Sequence, residues 1–108
     1  MAQNFRRYTS KSVGTSAATL FTANSYDTIV GIYVANSNTG SVNASVYIND
    51  GTNDIYLIKS APIPAGSALQ VLDGGSKVVV QSGDVLKVVS DTASSLDVWV
   101  SAVDDISS

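Results

Sequence analysis

The stretch that decides the fold is residues 41–58, SVNASVYINDGTNDIYLI, in which two strand patterns flank one turn. In its first half, apolar and polar residues alternate with a period of two, as in a strand with one buried face. Residues 50–53, Asp-Gly-Thr-Asn, are typical turn formers. Closing the chain there predicts three cross-strand pairs: Ile48–Ile55, Val46–Leu57 and Tyr47–Tyr56. The first two pairs share one face and the third lies on the other, so the residues predict a β-hairpin with one well-defined register.

The rest of the chain repeats this design, with short apolar-rich segments separated by turn residues. Eight segments have the pattern of a strand: 17–22, 27–36, 41–49, 54–58, 67–72, 77–81, 85–90 and 96–103. Turns about every 8–12 residues are typical of sandwiches and barrels, and apolar residues nowhere recur at helical spacing. We therefore predict an all-β protein: a single antiparallel β-sandwich of about eight strands, with jelly-roll-like or another Greek-key topology.

The predicted core comes from the inward positions of these strands. Residues 27–36 are apolar on both faces, which predicts a central strand, and Gly31 marks a candidate bulge or close backbone approach. Pro62 and Pro64 cannot donate ladder hydrogen bonds, so the chain is expected to leave its sheet at residues 62–66 and cross to the other one. The predicted core residues are Val30, Ile32, Val34, Val46, Ile48, Ile55, Leu57, Val98 and Val100.

The charges divide the chain into a basic start and an acidic remainder. Arg6, Arg7 and Lys11 precede the first acidic residue, Asp27, and beyond them three lysines against nine aspartates leave −6. Nucleic-acid binding needs a basic face or stripe, and three cations at one end of the chain are too few. We therefore predict no nucleic-acid partner.

The polar start of the chain predicts an extended N-terminal arm. The expected boundaries are an arm at 1–16, the β-sandwich at 17–103 and a polar tail at 104–108. Phe5 and Tyr8 are apolar anchors among polar neighbours, and with Arg6 and Arg7 they predict an element that docks on another subunit. The alternative is a frayed terminus.

The residue types give little support to catalysis, metal binding or membrane insertion. The sequence has no Cys and no His, Lys59 and Lys87 lack Ser-x-x-Lys spacing, and the aspartates fall mainly in turns. Residues 50–54 depart from the full Ca²⁺-loop pattern, and no window approaches about 18 apolar residues. We predict a non-enzymatic protein with no catalytic residues, no cofactor, no metal and no membrane contact, which is made in the cytoplasm.

Several large apolar residues fall on the outward faces of their strands. With Leu86 and Val88 inward, Val85 and Val89 point outward, and residues 78–80 are apolar on both faces. The same outward set includes Tyr47, Tyr56, Ile58 and Trp99. An apolar surface of this extent predicts a homo-oligomer, such as a ring or trimer, or a subunit docked on a larger particle.

Trp99 supports three interpretations. It shares its face with Asp97 and Ser101, away from the core. It could stack on a sugar or another flat ligand, anchor a protein interface, or lie beneath the arm or a loop of its own chain. We predict that Trp99 and the Tyr47–Tyr56 pair lie at or near a buried contact between subunits.

Two segments carry a family resemblance: residues 19–50, TLFTANSYDTIVGIYVANSNTGSVNASVYIND, and residues 61–89, APIPAGSALQVLDGGSKVVVQSGDVLKVV. Together they resemble small structural proteins of tailed bacteriophages, especially marine cyanophages. The shared features are an opening strand at 19–22, Val-Ala-Asn at 34–36, an alternating strand at 42–48, Pro-Ala-Gly at 64–66, Gly-Gly at 74–75 and Gly-Asp-x-Leu-x-Val at 83–88.

The resemblance implies a virion component without enzymatic activity. It would be a capsid decoration (cement) protein or a neck, tail or fibre subunit, with other virion proteins as partners. The alternative is a carbohydrate-binding β-sandwich module. Such modules usually present several exposed aromatic residues, whereas this sequence has one Trp.

Overall fold

The computed structural model describes residues 4–23, 27–72 and 78–104. Every regular element in those ranges is a β-strand. The strands are β1 (Asn4–Val13), β2 (Ala18–Thr22), β3 (Asp27–Asn36), β4 (Val42–Asn49), β5 (Asp54–Ile63), β6 (Ala68–Leu72), β7 (Val78–Val80), β8 (Val85–Ser90) and β9 (Leu96–Asp104). A helix able to cross a membrane is not found in the described ranges. The Gly-Gly turn at 74–75, the side chain of Phe5 and the tail beyond residue 104 lie outside what the structure describes.

The strands form two antiparallel sheets packed as a sandwich. The first sheet has the order β1-β9-β3-β6, with β7 also paired to β3, and the second has the order β2-β8-β4-β5. β6 pairs with residues 32–35 of β3 and β7 pairs with residues 27–29, so the two short strands share one position in the sheet. With β6 and β7 counted as one, each sheet has four positions in the order of a jelly roll. The predicted all-β sandwich is therefore confirmed.

The core lies between the two sheets and is centred on β3. Ile29, Ile32 and Val34 of this strand are fully buried, because β3 has neighbours on both sides and the second sheet beneath it. Of the predicted core, Ile32, Val34, Val46, Ile48, Val98 and Val100 are buried. Leu57 is half-buried and packs against this core. The predictions for Val30 and Ile55 are wrong, and β-bulges and the edge position of β5 explain the differences.

The first bulge lies in β3, beside Gly31. Ile29 pairs with Ala102 of β9, but the next β9 residue, Ser101, pairs with Gly31, so Val30 is an extra residue. An extra residue exchanges the two faces of a strand. Ile29 therefore faces the core, while Val30 is only half-buried. The bulge expected from Gly31 is confirmed.

The second bulge lies in the hairpin that joins β4 and β5. The pairs Ile48–Ile55 and Tyr47–Tyr56 are confirmed. Val46, however, pairs with Ile58 instead of Leu57. The extra residue turns Ile58 toward the core, so its predicted outward position is wrong. β5 is also the edge strand of the second sheet, and most of its residues, Ile55 among them, remain exposed.

The predicted N-terminal arm is a strand of the sandwich. Residues 4–10 of β1 pair in regular register with β9, and after a bulge Val13 pairs with Leu96 in the core. The folded domain therefore includes β1, and the boundary predicted at residue 17 is wrong. An edge strand buries few side chains, so β1 lacks the apolar alternation that identifies the other strands.

Candidate interaction surfaces

The described surface of the sandwich carries five exposed large apolar residues. They are Val79 (69% exposed), Ile55 (53%), Tyr33 (50%), Trp99 (50%) and Tyr56 (42%). Four of them form two groups on different sheets. We name Arg7, Tyr33 and Trp99 the aromatic–arginine patch, and Asp50, Asp54, Ile55 and Tyr56 the hairpin corner.

The aromatic–arginine patch lies on the outer face of the first sheet. Trp99 of β9 pairs with Tyr33 of β3 on one side and with Thr9 of β1 on the other. Arg7 of β1 places its guanidinium carbon, Cζ, 5.4 Å from the centroid of the Trp99 ring. A cation over an exposed indole contributes roughly 0.5–1 kcal/mol, so this contact orders Arg7 beside the two aromatic rings.

Short residues lie beside Tyr33 on its own strand, whereas Gln70 and Asp97 are the longer neighbours of the two rings. One position away along the sheet, Gly31 pairs with Ser101, and on the other side Ala35 pairs with Ala68. Because Gly31 and Ala35 are small, the ring of Tyr33 stands above both of its neighbours on β3. The patch is therefore a ridge of two rings, with Arg7 beside Trp99 at one end and the small residues of β3 beside Tyr33.

The predicted interface residues of β1 do not share one surface. Arg7 belongs to the patch and Arg6 is exposed on the same strand. Tyr8 pairs with Val100 on the core side and stacks on Phe21 of β2, with ring centroids 4.4 Å apart and planes at 14°. Tyr8 therefore joins the edges of the two sheets within one chain.

The hairpin corner contains the predicted Tyr47–Tyr56 pair. The two ring centroids are 5.0 Å apart, and Lys59 Nζ lies 5.0 Å from the centroid of Tyr56. Tyr47 is only 8% exposed, while Tyr56 remains open. The outer ring is thus the one available to a partner.

Side-chain hydrogen bonds hold the turn of the hairpin corner. Asp50 Oδ1 accepts from the backbone N–H groups of Thr52 (3.0 Å) and Asn53 (2.8 Å), and these bonds lower the pKa of Asp50. Asn49 Nδ2 donates to Asp54 Oδ1 at 2.7 Å. The corner therefore presents two carboxylates in fixed positions. Across the described residues, no group of three or more acidic, His or Cys side chains is placed to hold a metal ion.

The buried phenol of Tyr47 predicts a loss of stability in alkali. Burial raises its pKa, and Asp54 and Tyr56 add to the effect. Because the folded-state pKa is the higher one, the neutral phenol stabilises the fold fully below about pH 10, and that contribution is lost as pH rises through the folded-state pKa. Tyr47→Phe is expected to reduce the fall in unfolding free energy above pH 10, as measured by urea unfolding. An identical fall in both proteins would contradict this assignment.

Comparisons with known proteins support the fold. No protein-family model and no curated protein matches the chain. A solved structure described by the words "Bacillus endospore appendages form a novel family of disulfide-linked pili" is similar, with a TM-score of 0.55 and 13% identity over 94% of this chain and 84% of that chain. The likeness shows a shared β-sandwich fold. At this identity it shows nothing more.

In the aromatic–arginine patch, the residue that the sequence did not identify is Tyr33. The strand pattern of β3 placed Tyr33 among apolar residues on a covered face, because both faces of that strand are apolar. The useful signal was the small size of Gly31 and Ala35, which flank Tyr33 on its own face. Small neighbours on an outward face leave a large ring exposed, and the pairing with Trp99 then completes the patch.

Proposed function

We propose that this protein is a non-enzymatic structural subunit that works through contacts between subunits. The observation that carries the proposal is the presence of two surfaces, the aromatic–arginine patch and the hairpin corner, on a protein of 11.2 kDa. A monomer of this size rarely exposes several large apolar side chains in groups. Tyr and Trp are also enriched where protein surfaces become buried.

The more specific form of the proposal is a virion component of a tailed bacteriophage. The sequence resemblance supports a capsid decoration protein or a neck, tail or fibre subunit, and jelly rolls are common in viral capsid proteins. Its partners would be other virion proteins or further copies of itself, as a ring or trimer. The similar solved structure is of a pilus described as disulfide-linked, whereas this chain has no Cys. Its contacts would therefore be non-covalent.

Trp99→Ala tests the proposal, because Trp99 contributes much surface to contacts and little to the core. Sedimentation velocity across a concentration series is expected to show an oligomer whose dissociation constant rises at least tenfold in the variant. The free energy of unfolding should change by less than about 1 kcal/mol, as is usual for an exposed position. A monomer at every concentration that also fails to co-sediment with particles lacking the subunit would contradict the proposal.

A carbohydrate-binding module is the second candidate, and the exposed Tyr33–Trp99 pair favours it. Aromatic rings on a flat sheet face can stack on sugar rings, and lectin domains also use jelly rolls. A glycan array with the wild-type protein and Trp99→Ala separates the candidates. Glycan binding that is lost in the variant, with sedimentation unchanged, would favour this second function.

A further inference from the structure

We propose that copies of this chain assemble head to tail, with the hairpin corner of one copy docked on the aromatic–arginine patch of the next. The inference rests on the proposed function and specifies its partner, a second copy, and its contact surfaces. The two surfaces lie on different sheets of the sandwich. One copy can therefore use both surfaces at the same time.

Charge complementarity is the first argument. Strand β1, at the side of the patch, carries three of the six cations in the sequence, and Arg7 and Lys11 are exposed. Asp50 and Asp54 of the hairpin corner are exposed as well. A docked corner would bring its two carboxylates to a cationic strand, which favours both encounter and register.

Like charges disfavour the symmetric alternatives. If two patches met each other, Arg7 and Lys11 of one copy would approach the same cations of the other, and Asp97, which lies on the face of Trp99 and accepts from the N–H of Ser12, would offset only one of these charges. If two corners met, Asp50 and Asp54 of one copy would approach the same carboxylates of the other, and Lys59 beside Tyr56 would offset only part of this repulsion. Juxtaposed like charges are unfavourable at an interface, so the charges favour contact between two different surfaces.

Shape gives a further argument. Ile55 and Tyr56 are neighbours on a strand, and their pairing with Ile48 and Tyr47 places them on opposite sides of the hairpin. At the corner, the side chains of Ile55 and Tyr56 therefore project on opposite sides of the edge strand. The patch offers the reverse shape, a ridge of Tyr33 and Trp99 with the small residues Gly31 and Ala35 on either side of Tyr33.

The edge of β5 is poorly suited to strand-to-strand pairing between copies. Ser60 has a left-handed backbone, with φ of 52°, and Pro62 lacks an N–H donor. Such irregularities prevent the addition of a further strand to a sheet edge. Side-chain contacts at the corner do not need a continuous strand edge, so they remain open to a copy. A contact between two different surfaces generates a closed ring or an open filament.

Mixing two defective variants tests the proposal. Ile55→Ser disables the corner and leaves the patch intact, whereas Trp99→Ser disables the patch and leaves the corner intact. Both residues are at least half exposed, so both variants are expected to fold, as circular dichroism will check. Each variant alone should sediment as a monomer. An equimolar mixture should form a 1:1 dimer and no larger species, because only one productive junction is possible.

Val79→Ser is the matched control. Val79 is the most exposed large apolar residue of the described chain, and it pairs with Thr28, five residues along β3 from Tyr33. This variant should assemble as the wild type does. If Ile55→Ser also assembles as the wild type does, or if the mixture stays monomeric, the head-to-tail contact is wrong while the proposed function stands. A wild-type protein that never self-associates would overturn the head-to-tail contact by itself, and co-sedimentation with particles lacking the subunit then decides the proposed function.

Discussion

Deletion of residues 1–13 is expected to unfold the sandwich, because these residues include an entire strand. β1 pairs with β9 from Asn4 to Ser10, Tyr8 stacks on Phe21, and Val13 is buried in the core. Each ladder hydrogen bond contributes about 1 kcal/mol, so the loss is comparable with the roughly 5–15 kcal/mol that stabilises a whole domain. The truncated chain should lose the cooperative urea transition of the full-length protein and aggregate through the newly exposed edge of β9.

The double variant Arg7→Ser and Lys11→Ser is the matched control for this deletion. It removes two exposed cations but keeps the backbone of β1 and its pairing with β9. The urea midpoint should therefore stay close to that of the wild type, while self-association weakens. A truncated chain with an unchanged unfolding free energy would show instead that the first 13 residues are a dispensable arm, as the sequence alone suggested.

The sequence predicted the parts of the fold that local chemistry determines. Residues 50–53 fix a turn, the side chain of Asp50 holds two of its N–H groups, and the pairs nearest the turn followed correctly. The pairing of Val46 was wrong because the bulge at Leu57 lies farther from the turn. An extra residue in one strand depends on the partner strand and on the opposite sheet, and alternation in one segment does not record it.

The same dependence on neighbouring strands explains which residues of the candidate surfaces could be predicted from the sequence. Trp99 was correctly placed on an outward face, because β9 alternates without a bulge over residues 96–102. Tyr33 was missed because both faces of β3 are apolar, which predicted a strand covered on both sides, and Tyr8 was assigned to an arm because an edge strand has little pattern. The contact of Arg7 with Trp99 joins residues 92 positions apart in the sequence, and only the order of the strands brings them together.

Replacement of Asn36 by Ala is expected to reduce the stability of the fold strongly. Asn36 is 2% exposed at the end of β3. Its Nδ2 donates to the carbonyls of Gly40 and Ile63, both at 2.8 Å, and its Oδ1 accepts from the N–H of Asn38 at 2.8 Å. One side chain thus joins the β3–β4 turn to the end of β5. In the sequence, Val-Ala-Asn at 34–36 was identified only as part of the resemblance to phage structural proteins. The contacts of Asn36 give this segment a structural role.

The expected loss in Asn36→Ala is about 3 kcal/mol or more, because each buried polar group left without a partner costs roughly 1–3 kcal/mol. Asn38→Ala is the matched control. Among the described residues, its side chain accepts only from the exposed N–H of Thr39, so less than about 1 kcal/mol should be lost. Urea unfolding measures both. Similar losses in the two variants would show that Asn36 acts as an ordinary turn residue.

Asn36→Asp separates hydrogen bonding from simple packing. The carboxylate would have the shape of the amide but would direct an oxygen toward two carbonyl oxygens, and burial would disfavour its charge. Both effects raise the folded-state pKa of the new Asp above its unfolded value near 3.9. The destabilisation of the variant relative to the wild type should therefore be smallest below about pH 4. It should grow as pH rises through the raised folded-state pKa. A destabilisation that does not change with pH would mean that the space at residue 36 matters more than the donor, and that the two carbonyls find other partners when Nδ2 is removed.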